Sequence, residues 1–206
     1  MKQPTSEYAN LNKRDMLSSQ GSSTEMLRVG KLKILTYMMF FVFAMTSDAV
    51  GVIIPELIED YGLSMTQASA FHYVPMFFIG LSGLFLGYFA DKYGRKVTIF
   101  SGLSLFAIAS FSFAVSEQFA VFVLLLAFIG MGVGVFKTGA LALIGDVSND
   151  SKEHTSTMNK AEGFFGIGAM IGPAVVSYLL ISGVSWKYLY LVAGVMCVIL
   201  CLFAVT

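Results

Sequence analysis

Charge is the first thing this chain has little of. It carries 13 lysines and arginines and 13 aspartates and glutamates, so that 13% of its 206 residues are charged. A soluble domain carries about 25%, which leaves this chain too little polar surface for water. Cysteine is scarce as well. Cys197 and Cys201 stand four apart on one face of an apolar run and read as small packing residues. No further ligands accompany them, so neither a disulfide scaffold nor a metal site is expected. There is no HExxH pair, no serine nucleophile motif and no second carboxylate near Asp48 in its apolar run, which argues against an intramembrane enzyme. No cofactor, metal or nucleic-acid partner is expected.

What the chain does have is long apolar runs. Ile34 to Ile54 holds one charge, Asp48, and Ala68 to Ala90 holds none, only His72. Val97 to Val115, Gly163 to Ile181 and Tyr188 to Thr206 hold none, and Phe119 to Ile144 holds only Lys137. About 18 apolar residues cross roughly 30 Å of hydrocarbon as a helix. The runs are continuous and lack the period-2 alternation of a barrel. The sequence therefore predicts an all-α polytopic membrane protein with spans at 34–54, 68–90, 97–115, 119–144, 163–181 and 187–206. Residues 1–33 are polar and rich in Ser, Gln and Asn, and read as a flexible cytoplasmic tail before the bundle at 34–206.

The balanced net charge hides an asymmetry. Lys2, Lys13, Arg14, Arg28, Lys31 and Lys33 precede the first span, Lys92, Arg95 and Lys96 follow the second, and Lys152 and Lys160 follow the fourth. The other connections carry Glu56, Glu59, Asp60 and Glu117, with Lys187 as their one base. Basic residues stay on the cytoplasmic side, so both termini are expected inside, in a plasma membrane. Trp186, Tyr188 and Tyr190 fall where an outer aromatic belt would lie.

Three features carry the functional reading. "GMGVGVFKTGALALIGD" (Gly130 to Asp146) places a lysine after glycines, but Phe136 occupies the position where a phosphate loop needs glycine. The glycines serve packing instead. Gly130 and Gly134 are four apart, as are Gly168 and Gly172 beside Pro173, and such pairs let helices approach closely in lipid. Lys137 costs about 2.5–3.5 kcal/mol near a helix centre. Either it faces a wet cavity or a partner, or it snorkels to the cytoplasmic side, roughly 12 Å away by helix rise. Asp48 lies roughly 21 Å past Ile34, out of easy reach of either surface. It must pair, take up a proton or contact a polar ligand. An aqueous cavity shared by Asp48 and Lys137 is expected.

The third feature is "GYFADKYGRK", Gly87 to Lys96, between the second and third spans. With Gly87, Asp91, Lys92, Gly94, Arg95 and Lys96 in place, it resembles the signature of the major facilitator superfamily. The resemblance implies that these residues latch the cytoplasmic side, with Asp146 as the acidic partner of Arg95. The stretches around Lys137 and "GPAVVS" look most like the fucose/glucose/galactose permease group, whose members carry an acidic residue at the position of Lys137. The reversal of charge favours a different substrate, an anionic one among the options. Leu126 stands near the place of an arginine common in drug antiporters of the superfamily. Gly172 and Pro173 keep the Gly-Pro of the antiporter motif without its following glycine pair, so an antiporter is not expected.

Transporters of that superfamily have twelve helices in two halves around a midplane site, each half made of two inverted three-helix repeats. Six spans with the signature after the second correspond to the N-terminal half. The expectation is a half of an ion-coupled symporter for a small solute, a sugar or an organic anion, with protons as coupling ion. Its partners are the lipid bilayer, the solute and a second six-helix half in the same or another chain. The alternative is a non-transporting scaffold or a degenerate half-transporter.

Overall fold

The computed structural model describes the backbone of residues 5–205 and the side chains of residues 26–204. Eight helices follow in order: α1 (Thr5–Ser47), α2 (Val50–Tyr61), α3 (Met65–Ala68), α4 (Ala70–Tyr93), α5 (Arg95–Ala114), α6 (Phe119–Val147), α7 (Ser151–Ile181) and α8 (Tyr188–Val205). No strand occurs among the described residues. A membrane leaves little choice, because a backbone in hydrocarbon must bond to itself. Five stretches are long and apolar enough to cross: Met26–Tyr61, Met65–Tyr93, Arg95–Ala114, Phe119–Val147 and Ser151–Ile181. The sixth, Tyr188–Ala204, is apolar and shorter.

Two boundaries differ from the sequence reading. Residues 5–33, read as a flexible tail, continue α1 without interruption. Nothing in Thr5–Ser47 stops a helix: it contains no proline, and its glycines are Gly21 and Gly30 alone. The first span also runs further, to Tyr61, and is broken inside, at Asp48 and Ala49. The Asp48 N–H still reaches the Ala44 carbonyl at 2.9 Å, and bonding resumes with the Val52 N–H on the Ala49 carbonyl at 3.0 Å. At the far end of α7 the turn follows a Schellman pattern. Val184 N–H bonds the Leu179 carbonyl and Gly183 N–H the Leu180 carbonyl. Gly183 supplies the φ of 69° that this cap needs.

Glycines set the packing. A Cβ on Gly168 would collide with the Phe41 carbonyl, and one on Gly172 with the Met45 carbonyl. The pairs advance together along both helices, so α1 and α7 run parallel in close contact. Likewise Gly130 abuts the backbone of Pro75, and Gly134 abuts Ser82, which makes α4 and α6 parallel neighbours. α5 runs antiparallel to α6, with Gly102 against the backbone of Phe136 and Gly132 against that of Phe106. α8 closes on α5, where the Cys197 thiol donates to the Leu103 carbonyl at 3.1 Å. Exchanging the first three spans with the last three maps the α1–α7 contact onto the α4–α6 contact, and the α5–α6 contact onto one that α1 makes with α8. That is the signature of two inverted repeats.

The end of the bundle opposite Gly94 is held by aromatic rings. Phe71, Phe113, Phe122, Trp186 and Tyr190 form one cluster, with Phe113 and Tyr190 ring centroids 4.0 Å apart. This corrects the outward belt expected at Trp186, Tyr188 and Tyr190. Trp186 and Tyr190 are buried, and only Tyr188 faces out. Trp186 lies in the turn before α8, and the Leu189 N–H on its carbonyl at 3.1 Å ties that turn to the start of the helix.

Candidate functional site

Two sites emerge, a charge cluster at one end of the bundle and a cleft in its middle. The cluster is built on the turn between α4 and α5. Gly94 joins them at φ 88° and ψ 152°, a region that only glycine enters without strain. The turn sets Arg95 as the first residue of α5. Its Nη1 donates to Asp91 Oδ1 at 2.7 Å and its Nε to Asp146 Oδ2 at 3.2 Å. One guanidinium thus ties the last turn of α4, the first turn of α5 and the last turn of α6. All three charges sit on the end of their own helix that the macrodipole disfavours. They are stabilised by one another, not by the helices that carry them.

Asp91, Arg95 and Asp146 are therefore brought together. Two other residues of the signature are not. Lys96 is exposed and makes no ion pair among the described residues. A Cβ on Gly87 would meet no atom within 4 Å, so this glycine is not needed for packing inside the chain. Lys92 lies over the Tyr88 and Tyr93 rings at 5.7 Å and 5.3 Å. The same end holds an ion pair that the sequence reading missed. Lys33 Nζ donates to Glu153 Oε1 at 2.6 Å, joining α1 to α7. The other oxygen of Glu153 accepts from the Asn149 N–H and side-chain amide at 3.0 Å and 2.9 Å. "SND" before α7 announces a helix start, with Asp150 capping the Glu153 N–H at 2.7 Å. No local pattern names a partner 120 residues away.

The cleft, of about 140 Å³, opens between α1, α4 and α6. Thr46, Ser47, Pro75, Leu126, Lys137 and Tyr190 are among its lining residues. Lys137 is half-buried and does not snorkel to the end of α6. Its Nζ lies over the Phe40 ring, 4.6 Å from the centroid, and 5.8 Å from that of Phe165. It forms no ion pair among the described residues; Glu162 on α7 attracts it from beyond pairing distance. Asp48 does not line the cleft with it. The carboxylate is exposed at the break after α1 and accepts from the Ser47 hydroxyl at 2.9 Å. Ser47 faces the cleft, and Asp48, one residue on, turns away. His72 is exposed on α4 and also lies outside the cleft.

The family model described as Major Facilitator Superfamily matches residues 36–206. Over 165 residues the chain is 28% identical to the quinolone resistance protein NorA of Staphylococcus aureus, covering 77% of this chain and 41% of that protein. Over 170 residues it is 24% identical to the 4-hydroxybenzoate transporter PcaK of Pseudomonas aeruginosa, covering 82% and 38%. The chain thus spans about two fifths of the length of these relatives. Among solved structures, a peptide transporter POT mutant complexed with sulfate superposes with a TM-score of 0.72 at 18% identity, covering 86% of this chain and 37% of that one. The inward-open xylose transporter XylE from E. coli gives 0.71 at 14% identity, covering 86% and 48%. At such identities the likeness concerns the fold.

Proposed function

From the premise that the chain belongs to the Major Facilitator Superfamily, we propose that it is one six-helix half of a secondary transporter for a small solute, a sugar or an organic anion. Transport runs by alternating access and is coupled to an ion gradient, with protons as the coupling ion. A second six-helix half, in the same or another chain, completes the solute path. The protein resides in a plasma membrane with its Arg95 end toward the cytoplasm. The observation that carries this reading is Lys137, a half-buried cation that lines the cleft of an apolar bundle and forms no ion pair among the described residues. A side chain so unfavourable in a membrane marks a solute or ion path by default. In this reading Lys137 contacts the solute, Asp48 takes up a proton at the helix break, and Asp91, Arg95 and Asp146 form the gating latch.

The test is accumulation of radiolabelled sugars and organic anions by cells carrying the complete transporter. Asp48→Asn and Lys137→Ala each lower accumulation by about tenfold or more, with protein levels in the membrane unchanged. Wild-type accumulation in both variants would defeat the assignment of the site.

A further inference from the structure

Lys137 has a partner within the chain that the sequence reading missed, an inference that rests on the transport reading above. We infer that Glu162 is the resident counter-charge of Lys137: the ammonium alternates between the Phe40 ring and the Glu162 carboxylate, and an anionic solute takes the carboxylate's place.

Three observations carry this. The first is level. Lys137 lies ten residues before the end of α6 at Val147, and Glu162 eleven residues after the start of α7 at Ser151. A short turn joins these consecutive helices, which run in opposite directions. At 1.5 Å of rise per residue, the two stand about 15 and 17 Å from the same end of the bundle.

The second is face. Phe165 lines the cleft, and its ring centroid lies 5.8 Å from Lys137 Nζ. Residues three apart share a helical face, so Glu162 stands one turn before Phe165 on the side of α7 turned toward Lys137. Glu162 is exposed, and its charge is felt at Lys137 although the two form no ion pair. Lys160, two residues before Glu162, does not share that face.

The third is the shortage of other partners. Lys33 holds Glu153, and Arg95 holds Asp91 and Asp146. Asp48 is turned away from the cleft, and Glu56, Glu59, Asp60 and Glu117 lie at the other end of the bundle. Two opposite charges without ion pairs at one level of an apolar bundle are each costly. The flexible four-carbon stem of a lysine lets its ammonium reach from the ring to the carboxylate. α6 and α7 otherwise touch little. Closing the pair therefore ties these two helices together, and a solute anion on Lys137 releases them.

The experiment uses the complete transporter in lipid nanodiscs. A lipid-soluble carbodiimide adds to the Glu162 carboxyl, and the Lys137 amine then displaces the activated oxygen. The product is an amide joining the two residues, with the oxygen leaving in the urea, and mass spectrometry of the digested protein is expected to find it. Its yield is expected to fall about tenfold when a transported organic anion saturates the site. Thermal unfolding gives a second readout. Lys137→Met and Glu162→Gln each strand one charge, so the double variant is expected to unfold about 2 °C or more above the temperature that the two single losses add up to. Absence of the amide would overturn the pair, and additive variants would overturn the attraction between its members. The amide is sought in the unaltered protein, so the matter is decided even where a variant fails to fold. An amide whose yield no accumulated anion lowers, or a transporter that accumulates neutral solutes alone, would overturn the displacement and keep the transport reading. An amide in a protein that accumulates no solute would uphold the pair and remove both the displacement and the transport reading.

Discussion

Arg95 and Gly94 show how differently neighbouring residues bear on stability. The pairs that Arg95 makes are exposed, with side-chain exposures of 69% at Asp91 and 55% at Asp146. Such pairs contribute about 0–1 kcal/mol each. Arg95→Ala is therefore expected to shift thermal unfolding only slightly while lowering transport strongly, if the cluster gates. Lysine lacks the fork that reaches two carboxylates at once, so Arg95→Lys should restore little. A large loss of thermal stability in Arg95→Ala would instead make the cluster a fold element. Gly94 is the reverse case. Its φ of 88° makes Gly94→Ala cost about 1–3 kcal/mol, measurable as earlier unfolding in detergent. Gly87 separates the two quantities. It lies inside α4 with free space at its Cβ position, so Gly87→Ala should stabilise the chain by about 0.5–1 kcal/mol. A loss of transport in that stabilised variant would place Gly87 at a contact made outside this chain. The motif was readable at these positions because its residues are adjacent in sequence. The Lys33–Glu153 pair was not, since its partners meet only after folding.

At the scale of elements, helix contact was legible where small residues repeat every fourth position. Gly168 and Gly172 and Gly130 and Gly134 sit against neighbouring backbones, as such pairs allow. Gly102, Gly132 and Gly139 escaped notice. Gly132 lies two residues from both Gly130 and Gly134 and so faces α5, where a search along one stripe does not look. The break at Asp48 and Ala49 was equally silent, because neither residue is a helix breaker and Gly51 and Pro55 come later inside α2. It falls three residues past Met45, whose carbonyl a Cβ on Gly172 would meet. Here α7 supplies its own controls. Gly168→Ala and Gly172→Ala push a methyl into backbone and should each destabilise by about 1–3 kcal/mol. Gly163→Ala and Gly166→Ala meet open space on the same helix and should be neutral or mildly stabilising. Equal melting temperatures for all four would mean that α1 and α7 do not pack as closely as described.

For the molecule as a whole, the apolar runs were enough to foresee a bundle of six spans, and the resemblance carried by Gly87 to Lys96 added the inverted repeats. Which faces stay bare was beyond a sequence with apolar residues all round each helix. In the Met65–Tyr93 and Ser151–Ile181 spans only 17% of the apolar window is buried within the chain, against 56% in the Phe119–Val147 span. Leu84 and Met170 lie on these open faces, which are the surfaces available to lipid or to a second half. The two ends of the bundle differ in charge. One gathers the bases Lys33, Lys92, Arg95, Lys96 and Lys152 together with the acids Asp91, Asp146, Asp150 and Glu153, and the other the acids Glu56, Glu59, Asp60 and Glu117 with Lys187. If basic residues stay inside, Glu59 is extracellular and Lys152 cytoplasmic. With Cys197 and Cys201 replaced by alanine to clear the background, Glu59→Cys should react with a membrane-impermeant maleimide in intact cells. Lys152→Cys should react only after the membrane is opened. The reverse pattern would turn the bundle over and move the Arg95 cluster to the outer face. Gating there would then have to be explained at the opposite end of the solute path. Reaction of both cysteines in intact cells would mean that the chain does not sit in the bilayer as a closed six-span bundle.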